Sequence, residues 1–367
     1  MTAPGGLVVL AAGGTGGHLF PAEALARELM ARGRPVALFT DKRADAFPVQ
    51  GVPTHRVPAG RIGAGIFGKL LAVIQIARGT MAARALLKRL KPSAVVGFGG
   101  YPSVPTMLAA ARLKLPSIIH EQNAVLGRAN KMLATRVRRI ATAFETVDGL
   151  AAGDRDKIVQ TGNPVRPAIL ALRSRGYDPP QPGGPIRILV LGGSLGAGIL
   201  SRVVPPALTL LPRELQQRIR LAQQVRPEDT DFVRSVYAES GIAVEIKRFF
   251  DDVPARLADC HLMIGRAGGS TTAELTVIGR PSILVPYAAA IADEQTANAR
   301  NLVEHGAAWL LPEIEFNPAI LSAQLEKILL HPAALARAAS AAHRLGQPEA
   351  AQRLADLVED VENEVQR

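Results

Sequence analysis

Two kinds of residue meet in Gly13-Gly14-Thr15-Gly16-Gly17-His18: glycines that let a ligand approach the main chain, and an imidazole able to take a proton near neutral pH. The apolar run Leu7-Val8-Val9-Leu10-Ala11-Ala12 precedes them and Pro21 follows, which reads as buried strand, loop and helix start. Backbone amides at a helix N-terminus attract phosphate or carboxylate, and His18 beside them is a candidate base. The bland alternative is a glycine-rich βα turn used only for packing, with His18 facing solvent.

A second constellation is Ile264-Gly265-Arg266-Ala267-Gly268-Gly269-Ser270-Thr271-Thr272-Ala273-Glu274-Leu275. A strand ends here, small residues turn backbone amides outward, and Ser270 and Thr271 add donors suited to a diphosphate. Glu274 stands one turn further on, where a carboxylate can take both hydroxyls of a ribose. A Ser/Glu capping box would explain Ser270 and Glu274 without any ligand, though not the glycines before them. Further glycine or polar clusters follow apolar runs at Gly97-Phe98-Gly99-Gly100-Tyr101-Pro102-Ser103 and at His120-Glu121-Gln122-Asn123. Open α/β sheets hold their ligands beyond the C-terminal ends of strands, which favours a functional reading of these clusters over surface turns.

The elements that must position these residues alternate strand and helix. Pro21 to Arg32 reads as a helix stopped by Gly33, Pro35 to Thr40 as the next strand, and Pro116 to Ile119, Arg136 to Thr142 and Lys157 to Gln160 as later ones. The pattern restarts at Arg187-Ile188-Leu189-Val190-Leu191-Gly192-Gly193-Ser194-Leu195-Gly196-Ala197, about 180 residues after the first glycine loop. Strands are then expected at Ala243 to Phe249, Leu262 to Ile264, Ser282 to Val285 and Ala308 to Leu311, and helices at Pro205 to Leu211, Asp229 to Ser240, Ser270 to Ile278 and Gln295 to Glu304, with closing helices after Pro332. Two doubly wound α/β domains are the economical reading of 367 residues.

Composition narrows the partners. A net charge of +11 suits polyanions, whereas 4% aromatic residues argue against a nucleic-acid surface of stacked rings. The single cysteine, Cys260, excludes an intramolecular disulfide and a thiolate metal cluster and fits a cytoplasmic setting. Gly60 to Lys91 mixes apolar residues with Arg61, Lys69, Arg78, Arg84, Lys88, Arg89 and Lys91; it reads either as a packed helix with a solvated basic face or as a helix lying on an anionic membrane. Neither glycine loop has the Gly-x-Gly-x-x-Gly spacing of a dinucleotide fingerprint.

Taken in order, Gly13 to His18, Gly99 to Ser103, His120 to Asn123, Gly162-Asn163-Pro164-Val165-Arg166, Gly192 to Ala197 and Arg266 to Glu274 resemble the MurG family of N-acetylglucosaminyltransferases over essentially the whole chain. The resemblance implies the GT-B architecture, two Rossmann-like domains with a cleft between them: residues 1–163 facing a lipid-linked acceptor, 164–346 holding UDP-GlcNAc, and a helix in 347–367 packing back on the first. It implies inverting transfer of GlcNAc to the 4-hydroxyl of the MurNAc of lipid I, giving lipid II for peptidoglycan synthesis, with neither metal nor cofactor. His18 becomes the base. The donor set is Thr15, Gly16, Gly17, Asn123, Arg166, Ser194, Phe250, Ser270, Thr271, Glu274, Gln295 and Asn298; the acceptor set is Gly14, Tyr101, Glu121 and Asn130. Glu294 stands where the family often has His. The family's apolar membrane patch falls between Ile66 and Met81, which implies a peripheral enzyme on the cytoplasmic face of the inner membrane, near other cell-wall proteins. A UDP-GlcNAc 2-epimerase, or a non-catalytic nucleotide-sugar-binding protein, is the alternative.

Overall fold

The structure, a computed structural model, describes residues 5–13, 16–41, 47, 49–60, 65–193, 196–288 and 292–366, with the side chains of 65–71 and 365–366 left aside. The chain divides into two compact units, Met1–Arg166 with Pro348–Arg367, and Pro167–Gln347.

Unit 1 begins with β1 (Val8–Ala11), α1 (Gly16–Ala31), β2 (Val36–Thr40), β3 (Thr54–Arg56) and α2 (Gly65–Leu90). It continues through β4 (Ala94–Gly97), α3 (Ser103–Arg112), β5 (Ser117–Glu121), α4 (Arg128–Leu133), β6 (Arg139–Thr142) and β7 (Ile158–Gln160). The strands form one parallel sheet in the order β3-β2-β1-β4-β5-β6-β7. Every residue of β1, β2, β4 and β5 is buried, as strands of a parallel sheet covered on both faces require, including the polar end of β5 at His120 and Glu121.

Unit 2 contains α5 (Pro167–Leu170), β8 (Ile186–Leu191), α6 (Gly198–Thr209), α7 (Arg213–Arg218), β9 (Ile219–Gln224), α8 (Thr230–Tyr237), β10 (Ala243–Lys247) and α9 (Val253–Asp259). After these come β11 (Leu262–Gly265), α10 (Gly269–Ile278), β12 (Ser282–Leu284), α11 (Glu294–Glu304), β13 (Ala308–Leu310), α12 (Pro318–Leu329) and α13 (Pro332–Leu345). Its parallel sheet runs β10-β9-β8-β11-β12-β13. In both sheets the strand order reverses beside the first strand, between β1 and β4 and between β8 and β11, and such switch points open a crevice at the C-terminal strand ends.

The last helix, α14 (Ala350–Gln366), belongs to unit 1. Leu354, Ala355, Leu357, Val358 and Val361 enter the core formed with Leu25, Leu29, Val36 and Leu38. Around them Arg32 pairs with Asp356 and Glu359, Arg34 with Glu362, and Arg138 and Arg139 with Glu364.

Two helix starts differ from the sequence expectation. Helix α1 begins at Gly16 with Pro21 inside it, and α6 begins at Gly198 with Pro205 and Pro206 inside. Pro21 lacks only the N–H that would reach back to Gly17, so the first turn forms ahead of it at the loss of one hydrogen bond. Strands β3 and β9, absent from the sequence reading, are parallel additions beside β2 and β8.

Candidate active site

At the unit 1 switch point the ends of β1, β4 and β5 lie side by side. Because α1 starts early, Gly16, Gly17 and His18 occupy its first turn rather than a loop, among the amides that carry the positive end of the helix dipole. Gly14 and Thr15 lie outside the described residues. Beyond β4, Gly99 and Gly100 have φ of 81° and 71°, left-handed values that glycine adopts without strain. They wall the His18 ring: a Cβ on Gly100 would lie 3.2 Å from its Nε2 and Cδ2, and one on Gly13 would lie 3.4 Å from Cδ2. The imidazole is thus set in a niche without side-chain walls on these sides. Tyr101 follows, partly exposed.

The cluster at the end of β5 builds structure. His120 is fully buried, and burial pushes its pKa down to about 4, so it is neutral. Its Nε2 donates to the Gly162 carbonyl at 2.9 Å, while its Nδ1 accepts from Gln122 Nε2 at 3.0 Å. Gln122 Nε2 also reaches the Phe98 carbonyl at 3.0 Å. One buried chain therefore joins the loop bearing Gly99 and Gly100, the end of β5 and the segment leading to Arg166. The polar run at 120–123 signalled a site, but this coupling was invisible without the Gly162 partner.

Glu121 and Asn130, expected against an acceptor, are instead turned inward, at 1% and 2% exposure. Glu121 Oε1 accepts from the Asn123 N–H and Nδ2, and Oε2 from the Gly127 N–H and Asn130 Nδ2, all within 2.8–3.1 Å. Burial pushes the Glu121 carboxyl up, against these four donors that favour its anion. These four bonds shape the turn carrying Asn123 and hold Asn130 beside Gly99, where a Cβ on the glycine would lie 3.4 Å from the Asn130 amide and 3.6 Å from His18 Cε1. Asn163, on the segment before Arg166, has both amide atoms buried and unpaired among the described residues. Arg166 itself belongs to unit 1 and places its guanidinium 4.4 Å from the centre of the Phe20 ring on α1.

At the unit 2 switch point β8 leads into a loop in which Gly193 and Gly196 have φ of 82° and 70°. Gln224, from β9, clamps it by accepting the Gly192 N–H at 3.0 Å and donating to the Gly193 carbonyl at 3.1 Å. Gln224 was missed in the sequence because β9 itself was. Ser194 lies outside the described residues.

Beside this loop, α10 opens at Gly269, with Gly268 extended at the N-cap. Ser270 is therefore not the capping residue; it lies in the first turn, with Thr271 beside it. Thr272 Oγ1 bonds back to the Gly269 carbonyl at 3.0 Å and braces the turn. Glu274 lies one helical turn beyond Ser270 on the same face and is 5% exposed. Phe250 is 7% exposed, and Arg256 stands over its ring at 4.2 Å.

In the 294–298 block, Gln295 Oε1 accepts the Tyr287 N–H at 3.1 Å. Asn298 is fully buried and donates to the Ala267 carbonyl at 2.9 Å, which ties α11 to the turn before α10. Glu294 Oε2 accepts the Ala292 N–H at 3.3 Å. Among the described residues no three His, Cys, Asp or Glu side chains gather as a metal-ligand set.

Comparison with known proteins follows this layout. The glycosyltransferase family 28 N-terminal domain matches residues 8–142, and the family 28 C-terminal domain matches residues 187–354. The UDP-N-acetylglucosamine--N-acetylmuramyl-(pentapeptide) pyrophosphoryl-undecaprenol N-acetylglucosamine transferase of Rhodospirillum centenum is 55% identical, covering 96% of this chain and 93% of that protein. The same-named transferase of Paramagnetospirillum magneticum is 52% identical over 96% of each chain. Among solved structures, Acinetobacter baumannii MurG superposes with a TM-score of 0.77 at 30% identity, covering 97% of this chain and 99% of that one. A UDP-N-acetylglucosamine 2-epimerase shares the fold, with a TM-score of 0.69 at 14% identity over 97% of this chain and 96% of that one. Each unit is a parallel α/β sheet with a glycine-walled helix N-terminus at its switch point, and by sequence the chain belongs to glycosyltransferase family 28 and, within it, to the MurG family.

Proposed function

We propose that the protein transfers GlcNAc from UDP-GlcNAc to the 4-hydroxyl of MurNAc in undecaprenyl-diphosphate-linked MurNAc-pentapeptide, forming the β(1→4) linkage of lipid II. The relatives that match over nearly the whole chain bear the name of this reaction. The structural observation that supports it is the N-terminus of α10, which starts on Gly268 and Gly269 so that no Cβ crowds its first amides, with Ser270 and Thr271 in the first turn and Glu274 one turn inside. Such an end suits an enzyme that expels a nucleoside diphosphate, since charge grows on the β-phosphate as the bond breaks.

Unit 2 takes the donor. The first-turn amides of α10 with Ser270 and Thr271 hold the phosphates, Glu274 takes the ribose, Phe250 borders the uracil, and Gln295 reads the sugar with Asn298 bracing it from behind. Unit 1 takes the acceptor: the α1 N-terminus meets its diphosphate, and His18 removes the proton from the attacking hydroxyl. Arg166 adds positive charge for the leaving group. Attack on the face opposite UDP inverts the anomeric carbon, and the step uses neither metal nor cofactor.

Helix α2 supplies a membrane face. Val73, Ile74 and Met81 are 63%, 48% and 64% exposed, and Arg78, Arg84, Lys88 and Arg89 share the exposed side. Exposed apolar side chains beside cations suit peripheral contact with an anionic leaflet, each cation contributing about 1 kcal/mol. No described helix is long and apolar enough to cross a membrane.

The deciding assay is UDP release from UDP-GlcNAc with and without a short-chain analogue of the lipid acceptor. Acceptor-dependent release is expected. Release at full rate without acceptor, or conversion of UDP-GlcNAc alone into UDP-ManNAc, would overturn the assignment.

A further inference from the structure

Behind Gln295 lies an arrangement that joins Arg266 to Tyr287, Ala288 and Glu313, three residues that no sequence motif singled out. Arg266, directly after β11, uses Nη1 to reach the Val285 and Pro286 carbonyls at 3.0 Å each and Glu313 Oε2 at 2.9 Å. The same Glu313 oxygen accepts the Ala288 N–H at 3.0 Å. Tyr287, between the two tethered residues, has its ring under the Arg266 guanidinium at 5.2 Å and gives its N–H to Gln295. The Arg266 and Glu313 side chains are 11% and 22% exposed, so the pair is largely screened from water. Burial pushes the Glu313 carboxyl up, yet the bonds from Arg266 and Ala288 outweigh it and hold the group below its usual range.

The chemistry follows from the Gln295 carboxamide. Of its two terminal atoms only the oxygen can accept a backbone N–H, so the Tyr287 bond fixes the flip of the group. What remains for a ligand is the amide NH2, a donor matched to sugar hydroxyls or an acetamido carbonyl. If the 286–288 turn moves, the carboxamide loses the bond that sets its orientation.

We infer that Glu313 is a positioning residue for the donor sugar: by holding Arg266 and the Ala288 N–H on one oxygen, it fixes the turn that orients Gln295. The inference rests on the donor assignment proposed above. The Glu313 side chain bonds to Arg266 and Ala288 and is outside the groups assigned above to the nucleotide and phosphates, so its removal is expected to weaken recognition of the sugar and leave recognition of UDP.

The test compares binding of UDP-GlcNAc and of UDP, by calorimetry, to the wild type, Glu313→Gln and Glu313→Ala, alongside initial rates with the acceptor analogue. Glu313→Ala is expected to weaken UDP-GlcNAc about tenfold and UDP less than twofold, the size of one lost charge-assisted contact. Glu313→Gln keeps an acceptor for Ala288 but loses the ion pair, and is expected to fall between. Donor KM should follow the binding loss while acceptor KM stays constant. Adding Gln295→Ala to Glu313→Ala should cost less than twofold beyond Gln295→Ala alone, because the two act in series. Equal weakening of UDP and UDP-GlcNAc, no weakening of either, or fully additive losses would each overturn the role. Failure of the wild type to transfer GlcNAc strikes the function itself, and that result is read from the unsubstituted protein.

Discussion

Gly100→Ala separates the placement of His18 from its mere presence. The substitution does two things. It puts a β-carbon on a residue at φ 71°, which costs about 1–2 kcal/mol for an L-residue held in the left-handed region. It also puts that carbon 3.2 Å from Nε2 and Cδ2 of His18, closer than ordinary contact, so the ring must shift by a few tenths of an ångström. A misplacement near 1 Å costs about 10²-fold in rate, so a shift a third to half as large should lower kcat about 5–10-fold. Gly33→Ala is the control: Gly33 has φ 75° and nothing within 4 Å of an added β-carbon, so it shares the strain without touching the imidazole. Both variants should lose a few degrees in thermal unfolding, and only Gly100→Ala should lose kcat, with donor KM unchanged. His18→Ala sets the scale with a loss of about 10²–10⁴-fold. If Gly100→Ala turns over at the wild-type rate while His18→Ala is crippled, the glycine niche does not set the position of the base. Matching losses of kcat in Gly100→Ala and Gly33→Ala would trace the effect to stability instead.

Three other expectations concern the scaffold and the membrane. His120 has a folded pKa of about 4 against an ordinary 6.5, so between these values the unfolded chain binds more protons. Its contribution is complete above pH 6.5 and is lost as pH falls toward 4, by up to about 1.4 kcal/mol per pH unit; urea midpoints across this range should show the slope, and His120→Gln should flatten it. Glu362→Ala should destabilise the protein by about 3–5 kcal/mol in denaturant titrations, because Arg34, whose side chain is 7% exposed, would keep a buried charge without its carboxylate; a loss under 1 kcal/mol would mean that Arg34 finds water. Val73→Asp with Met81→Asp should reduce co-sedimentation with anionic vesicles while leaving turnover on a short-chain soluble acceptor intact, and undiminished binding would move the membrane contact elsewhere.

Much of the fold was legible because parallel strands covered on both faces tend to be apolar runs, and Val8–Ala11, Ala94–Gly97 and the stretch Ile188 to Leu191 announce themselves in that way. The glycine junctions after them marked both switch points. Ile219–Gln224 escaped because it carries an exposed Arg220 and ends in Gln223 and Gln224, polar yet buried, and Thr54–Arg56 because it is a short, largely exposed strand. At the candidate site, residue types pointed to loops that the fold gathers at the two switch points, but not to which atoms were already engaged. Glu121 and Asn298 read as ligand groups, yet their partners Gly127 and Ala267 come from turns whose approach only the folded chain defines. Ser270 read as a cap because serine favours that place, but the extended backbone at Gly268 moved the helix start one residue earlier.

The return of α14 to the first sheet also orders events in time. Unit 1 is assembled from two stretches separated by the whole of unit 2, Pro167–Gln347. On a ribosome adding about 5–20 residues per second, α1 waits on the order of ten seconds or more before the helix that covers Leu25 and Leu29 emerges. Unit 2 can close in that interval, whereas the core on the α1 side of the first sheet stays incomplete, with Arg34 lacking Glu362 and Arg32 holding only Glu28 of its own helix. A chaperone that shields apolar surface would therefore find its longest-lived target at the beginning of this chain, and ribosome stalling late in the message would leave the earliest-made segment unfinished.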